Sequence, residues 1–235
     1  MLGACRWLAL EVKYLDPILE FYQNHLSMEL VRKDSTEGEL DAGGESSLIL
    51  RRPSGVPRGG LHTHYAFACP EDTYEAWYAS LEDAFDLQEE EFGSMTSLYF
   101  YDPEGNCVEI GSIDDPTGDP KTTLTGIFEV VLEVESLPAA ESFYQTLGFE
   151  IVDRGEKRMR TRLTNGPFDI ELWEPHLGLA DARGGVHVDI GIASEDPAAV
   201  VDRISDKISS QQEIGDGIRF RDPDCHYITL VTDSS

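Results

Sequence analysis

The alternation of apolar and polar positions near the N-terminus predicts one strand, one helix and three short strands. Residues 7–12 are almost continuously apolar, which is typical of a buried strand. In the next segment, residues 16–26, the apolar side chains recur at helical spacing and share one face. Short β-type runs separated by polar turn residues then follow near 28–33, 37–42 and 46–52. The pattern indicates a βαβββ unit.

The same unit recurs three more times along the chain. The predicted strand–helix pairs that open the later units are 62–69 with 72–85, 127–134 with 138–147, and 186 onward with 196–208. Each pair precedes further short strands. In the second unit these lie near 88–92, 96–101 and 107–111; in the third they run to about residue 174, and in the fourth to about residue 231. We therefore expect an α+β protein of four βαβββ modules.

The two halves of the chain are diverged copies of each other. Leu10-Glu11-Val12 and Phe21-Tyr22-Gln23 return 122 residues later, and Asp102-Pro103 returns as Asp222-Pro223. A run of turn-forming and acidic residues without apolar side chains separates the copies. We predict a first domain, 1–113 (modules 1–55 and 58–113), a linker, 114–123, and a second domain, 124–235 (modules 124–178 and 183–235).

The composition limits the classes of partner. The 235 residues include 45 acidic and 18 basic side chains, so the net charge is −27. Such a charge repels nucleic acid and anionic membranes, and we expect neither as a partner. Acidic residues spread through periodic segments, with little lysine, are typical of a halophilic protein whose self-repulsion is screened by salt. The four cysteines show no paired spacing, and no signal-peptide pattern is evident, so we expect a cytoplasmic protein.

Several motifs resemble the vicinal oxygen chelate superfamily, which includes glyoxalases, bleomycin-resistance proteins and extradiol dioxygenases. In the first half these are Phe21-Tyr22 in a helix, the strand His64-Tyr65-Ala66-Phe67, and Asp102-Pro103-Glu104-Gly105-Asn106 before Glu109. In the second half they are Phe143-Tyr144, His187-Val188-Asp189 and Arg221-Asp222-Pro223-Asp224. The resemblance covers nearly the whole chain. It implies that the modules pair into two half-open mixed β-barrels, here called cups, with ligands on the first and last strand of each module.

The positions at which this superfamily holds a metal ion are filled unevenly. The resemblance places Trp7 and Ile49 in module one, and His187 and Thr229 in module four. In modules two and three it places four residues that can bind a metal: His64, Glu109, Glu129 and Glu171.

How the modules pair decides whether a complete site forms. Pairing within each half would leave His64 and Glu109 with Trp7 and Ile49. Swapped pairing, also implied by the resemblance, would join modules two and three in an inner cup that holds all four candidate ligands. It would leave modules one and four as an outer cup that binds metal poorly. We favour the swap, because it places the ligands in one complete set.

A site of one imidazole and up to three carboxylates suits one divalent ion, with Mn, Ni, Co, Zn, Mg and Fe all open. The resemblance then implies a glyoxalase-type lyase or isomerase acting on a small substrate that chelates the metal through vicinal oxygens, with Glu129 or Glu171 moving a proton. An Fe(II) extradiol dioxygenase is a second hypothesis, with His62 as a second imidazole. A non-catalytic binding protein of the same fold is a third. The expected partner is a small molecule, and the chain is expected to be a monomer or a homodimer.

Other residues carry weaker expectations. Trp7 is expected to fill the outer cup, and His187 to be a core or cavity histidine there. His226 stands at the loop position of Asn106 and is expected to be exposed. Three arginines alternate along one strand of module three and border the inner cup, where they could hold an anionic group of the substrate: Arg158, Arg160 and Arg162.

Overall fold

The computed structural model describes residues 1–53, 58–113, 124–156, 159–175 and 187–233. The predicted linker, 114–123, and Arg158 lie outside these residues. None of the helices in the described part of the chain is long and apolar enough to cross a membrane.

Each half of the chain contains two successive βαβββ modules, as the apolar pattern predicts. In the first half the elements are β1 (Leu2–Glu11), α1 (Leu15–His25), β2 (Leu30–Lys33), β3 (Glu37–Asp41), β4 (Ser47–Arg51), β5 (His62–Pro70), α2 (Tyr74–Leu81), β6 (Gln88–Phe92), β7 (Met95–Tyr101) and β8 (Cys107–Ile113). In the second half they are β9 (Gly126–Glu133), α3 (Leu137–Leu147), β10 (Glu150–Arg154), β11 (Arg160–Thr164), β12 (Asp169–Trp173), β13 (His187–Ser194), α4 (Pro197–Ile204), β14 (Ser210–Ile214), β15 (Gly217–Arg221) and β16 (Tyr227–Thr232).

The helices of modules two and four are shorter than the sequence predicts. Helix α2 is preceded by a 3₁₀ turn at Glu71–Thr73 and ends at Leu81. Helix α4 ends at Ile204, its last buried residue, where the amide of Lys207 donates to the carbonyl of Ile204 and closes a turn. Phe85 and Ile208, four residues beyond these helix ends, still pack against the core, so the helical conformation ends before the apolar contacts do.

The strands form two eight-stranded sheets, and each sheet combines modules from both halves of the chain. The inner sheet, from modules two and three, has the order β10-β11-β12-β9-β5-β8-β7-β6. The outer sheet, from modules one and four, has the order β14-β15-β16-β13-β1-β4-β3-β2. The central pairs, β5 with β9 and β1 with β13, are antiparallel and join the two halves. Swapped pairing is thus confirmed, and pairing within the halves is wrong.

The two modules of each half are joined on the helix side of the sheets. In the first half the hydroxyl of Tyr22, on α1, donates to Asp102 Oδ2 at 2.9 Å and contacts the hydroxyl of Tyr65. In the second half Tyr144 donates to Asp222 Oδ2 at 2.8 Å. These groups are buried among the apolar residues between helices and sheets. Strand pairing therefore links the halves, and helix packing links the modules within each half.

Candidate metal centre

The four predicted ligands lie on neighbouring strands at the centre of the inner sheet. His64 is on β5, Glu109 on β8, Glu129 on β9 and Glu171 on β12. Ala66 of β5 pairs with Glu109 on one side and with Glu129 on the other, which sets both carboxylates level across the sheet. All four side chains are buried, with relative exposures between 2% and 7%. Glu109 and Glu171 are therefore not solvated acids at the ends of their strands.

Their ligand atoms converge. One ligand atom each from His64, Glu129 and Glu171 lies within 4.8 Å of the other two. Glu109 adjoins this group, because its Oε2 is 3.2 Å from His64 Nε2. On the other side of the imidazole, Glu129 Oε1 is 3.7 Å from the same nitrogen. The rings of Tyr99 and Trp173 meet the imidazole edge-on, with centroids 5.7 Å and 6.3 Å away, and fix its plane.

The glutamates hold a proton on His64 when no metal is bound. Burial lowers the pKa of this imidazole, but the close carboxylates of Glu109 and Glu129 outweigh burial and raise the pKa to about 10. The proton on Nε2 thus occupies the position from which this nitrogen would bind a cation. A divalent ion must displace the proton to bind.

Glu129 is a carboxylate whose pKa is raised by its surroundings. Its burial, together with the negative charges of Glu171 and Glu109, raises its pKa to about 7, although the nearby imidazole of His64 acts in the opposite direction. Carboxylates that disfavour one another's ionisation are stabilised by a cation placed among them. One imidazole nitrogen and several carboxylate oxygens, buried and convergent, fit a hard or borderline divalent ion.

Glu171 is fixed more firmly than Glu129. Its Oε1 accepts from Arg160 Nη1 at 2.5 Å, and its Oε2 accepts from the indole Nε1 of Trp173 at 2.6 Å. Arg160 is itself held by Asp153, 2.8 Å away. In contrast, the nearest cation to Glu129 apart from His64 is Arg162, at 3.9 Å. Of the two glutamates predicted to move a proton, the side chain of Glu171 is therefore held in place and that of Glu129 is free to move.

A half-open cavity of about 600 Å³ lies over these residues. Its floor carries the four candidate ligands together with Tyr99 and Trp173. Its rim comes from two facing hairpins, β6–β7 and β10–β11, and contains Glu90, Phe92, Met95, Val152, Asp153, Gly155, Glu156, Arg160 and Arg162. The volume suits a small molecule. Two of the three predicted rim arginines are thus at the cavity, and both already contact carboxylates.

The corresponding positions of the outer sheet hold a different set of residues. Gly191 pairs with Thr229 as Ala66 pairs with Glu109, so Asp189, not His187, stands in the place of His64. Asp189 accepts hydrogen bonds from the indole of Trp7 and from Thr229. The predicted equivalence of His187 with His64 is wrong by two residues.

Three histidine expectations are corrected by the structure. His187 is a fully buried core histidine, as one of its two expectations had it, but it lies away from the outer cup and stacks on His226, with centroids 4.7 Å apart, beside His62. His226 is fully buried rather than exposed, and its Nε2 bonds the carbonyl of Glu133 at 2.8 Å. A bulge between His62 and His64 turns the His62 ring toward Tyr65, so His62 does not offer a second imidazole to the inner cup.

Sequence reasoning missed Trp173 and Asp189, which shape the two cups, and it expected Arg160 to hold a substrate group rather than Glu171. Trp173 and Arg160 orient Glu171, and Asp189 fills the outer cup. Trp173 lies two positions beyond Glu171 on one strand, so period-2 alternation could have placed both on the same face. The glycine pairs Gly59-Gly60 and Gly184-Gly185 are offset by 125, and this offset aligns Asp189 with His64. Residues 184–185 lie outside the described part of the chain.

Comparison with known proteins agrees with this fold. Residues 6–110 match the model of the Glyoxalase/Bleomycin resistance protein/Dioxygenase superfamily. Residues 6–110 thus belong to this superfamily. Metallothiol transferase FosB from Staphylococcus epidermidis is 26% identical over 106 residues, which span 41% of this chain and 76% of FosB. The matched superfamily segment carries His64 and Glu109 of the inner cup, and the remaining candidate ligands come from the second half.

Solved structures of superfamily proteins share the complete fold. A putative dioxygenase from Bacillus subtilis superimposes with a TM-score of 0.78 at 17% identity, over 100% of this chain and 86% of that chain. Glyoxalase I from Zea mays superimposes with a TM-score of 0.71 at 19% identity, over 97% of this chain and 92% of that chain. These similarities show that the four-module arrangement is shared. Activity has to be argued from the site, because one fold hosts several chemistries.

Proposed function

We propose that the protein is a divalent-metal-dependent lyase or isomerase of glyoxalase type, with its single active centre in the inner cup. The observation that carries the proposal is the convergence of His64, Glu129 and Glu171 within 4.8 Å, with Glu109 beside His64, at the floor of a small-molecule cavity. His64, Glu109, Glu129 and Glu171 would hold the ion. At this position the ion would supply Lewis-acid polarisation of two neighbouring substrate oxygens.

The donor set favours this chemistry over ring-cleaving oxygenation. Extradiol dioxygenases use two histidines and one carboxylate around Fe(II). Among the described residues that line the inner cavity, His64 is the one imidazole, and carboxylates fill the other ligand positions. An oxygen-rich set suits a redox-silent Lewis acid and gives the site a carboxylate that can move a proton.

We assign the proton transfer to Glu129. Glu171 is fixed through both oxygens by Arg160 and Trp173, whereas Glu129 makes only longer contacts, of 3.7 Å with His64 and 3.9 Å with Arg162. Glu129 is therefore free to take a proton from one substrate carbon and return it to the neighbouring carbon. The substrate loses and gains the same proton, so the product is an isomer and no external oxidant is needed.

Metal analysis of the purified protein tests the site. The wild type is expected to bind one redox-silent divalent ion per chain. His64→Ala and Glu171→Gln are expected to lower metal occupancy at least tenfold. Asp189→Asn, at the position equivalent to His64 in the outer cup, is the matched control and should leave metal content unchanged. Unchanged metal content in both inner-cup variants would show that the site is misplaced.

Turnover separates the three functional hypotheses. With the metal-loaded protein, hemithioacetals of α-oxoaldehydes with several thiols should be isomerised, and Glu129→Gln should lower kcat about 100-fold or more while the metal stays bound. Oxygen uptake with catechols in the iron-loaded protein would instead identify a dioxygenase. Tight substrate binding with neither reaction would identify a binding protein. Either of the last two results contradicts the proposal.

A further inference from the structure

The cavity of the inner cup has apolar side chains from its floor to its rim. Tyr99 and Trp173 form part of the floor. Phe92, Met95 and Val152 lie at the rim, on the two facing hairpins. Phe92 and Val152 are 42% and 53% exposed, so a ligand that covers them gains free energy from their burial. The lining therefore favours a substrate with an apolar body.

The wall that module two contributes to the cavity carries no positive charge. No lysine or arginine occurs between Arg58 and Lys121, although acidic residues are frequent in this stretch. Glu90, on β6, lines the cavity. Among the described residues it forms no ion pair and no hydrogen bond. The charge of Glu90 is therefore available to a ligand.

The wall of module three has two described cations at the cavity, and both already balance carboxylates. Arg160 contacts Asp153 and Glu171, and Arg162 contacts Asp169 at 2.8 Å. A negatively charged substrate group near either guanidinium group would also meet these carboxylates. Neither arginine therefore favours an anion as strongly as an unpaired arginine would.

The described residues that line the cavity keep a negative excess even with a metal ion bound. They include six carboxylates and two guanidinium groups. A divalent ion adds two positive charges, so two negative charges remain without a counter-charge. Charges of one sign that line a cleft reinforce one another, because the protein walls screen them less than water does. The cavity therefore attracts a cationic group and repels an anionic one.

We propose that the substrate of the inner cup has an apolar body and a neutral or positively charged group beside Glu90, and that the cup rejects substrates with a carboxylate in this place. The inference rests on the function proposed above, in which the vicinal oxygens of the substrate lie at the floor. The rest of the substrate then extends between the hairpins, where Phe92 and Val152 cover its apolar body. Among hemithioacetals, this favours an apolar aldehyde with an uncharged or cationic thiol.

Hydroxamates test the proposal, because their two neighbouring oxygens chelate a divalent ion and their binding is measured without turnover. Calorimetric titration of the full-length, Zn²⁺-loaded protein compares four of them, each corrected for its affinity for free Zn²⁺. Benzohydroxamate is expected to bind at least tenfold more tightly than acetohydroxamate. Its para-aminomethyl derivative should bind at least as tightly as benzohydroxamate, and its para-carboxy derivative at least tenfold more weakly.

Two matched pairs of variants locate these preferences. Glu90→Gln should narrow the affinity ratio of the cationic and anionic derivatives at least threefold. Glu91→Gln removes the same charge one residue further along β6, outside the cavity lining, and should leave the ratio unchanged. Val152→Ser should reduce the preference for benzohydroxamate over acetohydroxamate at least threefold. Val31→Ser, at an exposed position on β2 of the outer sheet, should leave this preference unchanged.

The outcomes separate this inference from the proposed function. Binding of all four hydroxamates with the para-carboxy derivative as the tightest would overturn the inference and leave the metal centre in place. A ratio that changes equally in Glu90→Gln and Glu91→Gln would also overturn it, because the effect would then come from the net charge of the protein. Failure of the protein to bind Zn²⁺, or of the loaded protein to bind any hydroxamate, would contradict the proposed function and this inference with it.

Discussion

At the residue scale, the inner cup buries more negative charge than its cations neutralise. Glu109, Glu129 and Glu171 are all buried, and of the two nearby arginines, Arg160 is shared with Asp153 and Arg162 with Asp169. The proton on His64 and the raised pKa of Glu129 both respond to this excess. A bound divalent ion would replace these protons, so metal binding and protonation compete for the same atoms.

This competition predicts that metal affinity rises steeply with pH. Below about pH 7 both His64 and Glu129 carry protons that a metal must displace, and between about pH 7 and 10 only His64 does. The dissociation constant for Zn²⁺ or Mn²⁺ should therefore fall about 100-fold per pH unit below pH 7 and about tenfold per unit above it. Competition with a chelator of known affinity across this range measures both slopes. A pH-independent constant would show that these groups are not the ligands.

A second residue-scale prediction concerns acid stability. Burial lowers the pKa of His62 to about 3, against 6.5 for the free side chain. The unfolded chain therefore binds a proton between pH 6.5 and 3 that the folded chain does not, so stability is lost as the pH falls through this window. At pH 5 the loss from His62 is roughly 2 kcal/mol. Urea unfolding at pH 7 and pH 5 should show a smaller difference for His62→Gln than for the wild type. His25→Gln, on the partly exposed end of α1, should keep the full difference.

The residue scale also shows what the sequence could and could not predict. The Phe-Tyr and Asp-Pro motifs recur together because their side chains are bonded. The hydroxyl of Tyr22 donates to Asp102, and Asp102 also accepts a hydrogen bond from the backbone amide of Asn106 within the same β-turn. His64 could be predicted because it belongs to a short contiguous motif, His64-Tyr65-Ala66-Phe67. His187 was misplaced because the histidine that opens β13 corresponds to the histidine that opens β5, which is His62 and not His64. Strand register, a property of two chain segments, separates these possibilities, and in the sequence the 125-residue offset of the glycine pairs points the same way.

At the element scale, alternation and helical spacing were enough to predict four βαβββ modules, since each element buries one face. Boundaries were less accurate, as in α4, which ends at Ile204 instead of residue 208. Ion pairs such as Arg160 with Glu171 could not be predicted, because they depend on the pairing of β11 with β12. Periodicity determines which face a residue takes, but contacts within that face depend on register.

The crossing of β1 and β13 provides an element-scale prediction. A Cβ on Gly191 would lie 2.2 Å from the Trp7 ring, which the hydrogen bond to Asp189 holds in place. Gly191→Ala should therefore destabilise the protein by about 1–3 kcal/mol, as expected for an overpacked core. Replacing Trp7 by Val makes room for the methyl group, so Gly191→Ala should cost much less in that background. Chemical unfolding of the four proteins of this cycle measures the coupling, and equal costs in both backgrounds would contradict the steric explanation.

At the scale of the whole molecule, the net charge of −27 opposes compaction. Most described ion pairs are at the surface and contribute little each, so they do not offset this repulsion. Added salt screens charges beyond about 10 Å at 0.1 M and beyond about 3 Å at 1 M. The melting temperature should accordingly rise as KCl increases from 0.1 to 2 M. Sucrose at equal osmolality is the control, and an equal rise with sucrose would show that screening is not the cause.

The swapped sheets make the two halves of the chain interdependent. Each half keeps a helix-side contact of its own, Tyr22 with Asp102 or Tyr144 with Asp222. Yet each half lacks the central partner strand of both its sheets, since β5 needs β9 and β13 needs β1. The candidate ligands divide in the same way, with His64 and Glu109 in the first half and Glu129 and Glu171 in the second. Helix packing can therefore pre-assemble a half, but only strand pairing between halves builds the inner cup.

Separate expression of residues 1–113 and 124–235 tests this interdependence. Each half alone should expose the edge of its central strands, associate with itself or aggregate, and bind the metal at least tenfold more weakly than the intact chain. Co-expressed halves should purify together as a one-to-one complex that binds one metal ion per pair, because the cut removes only the predicted linker. Glu171→Gln in the second half should abolish binding by the complex. Full metal affinity in the isolated second half would contradict the assignment of the centre to both halves.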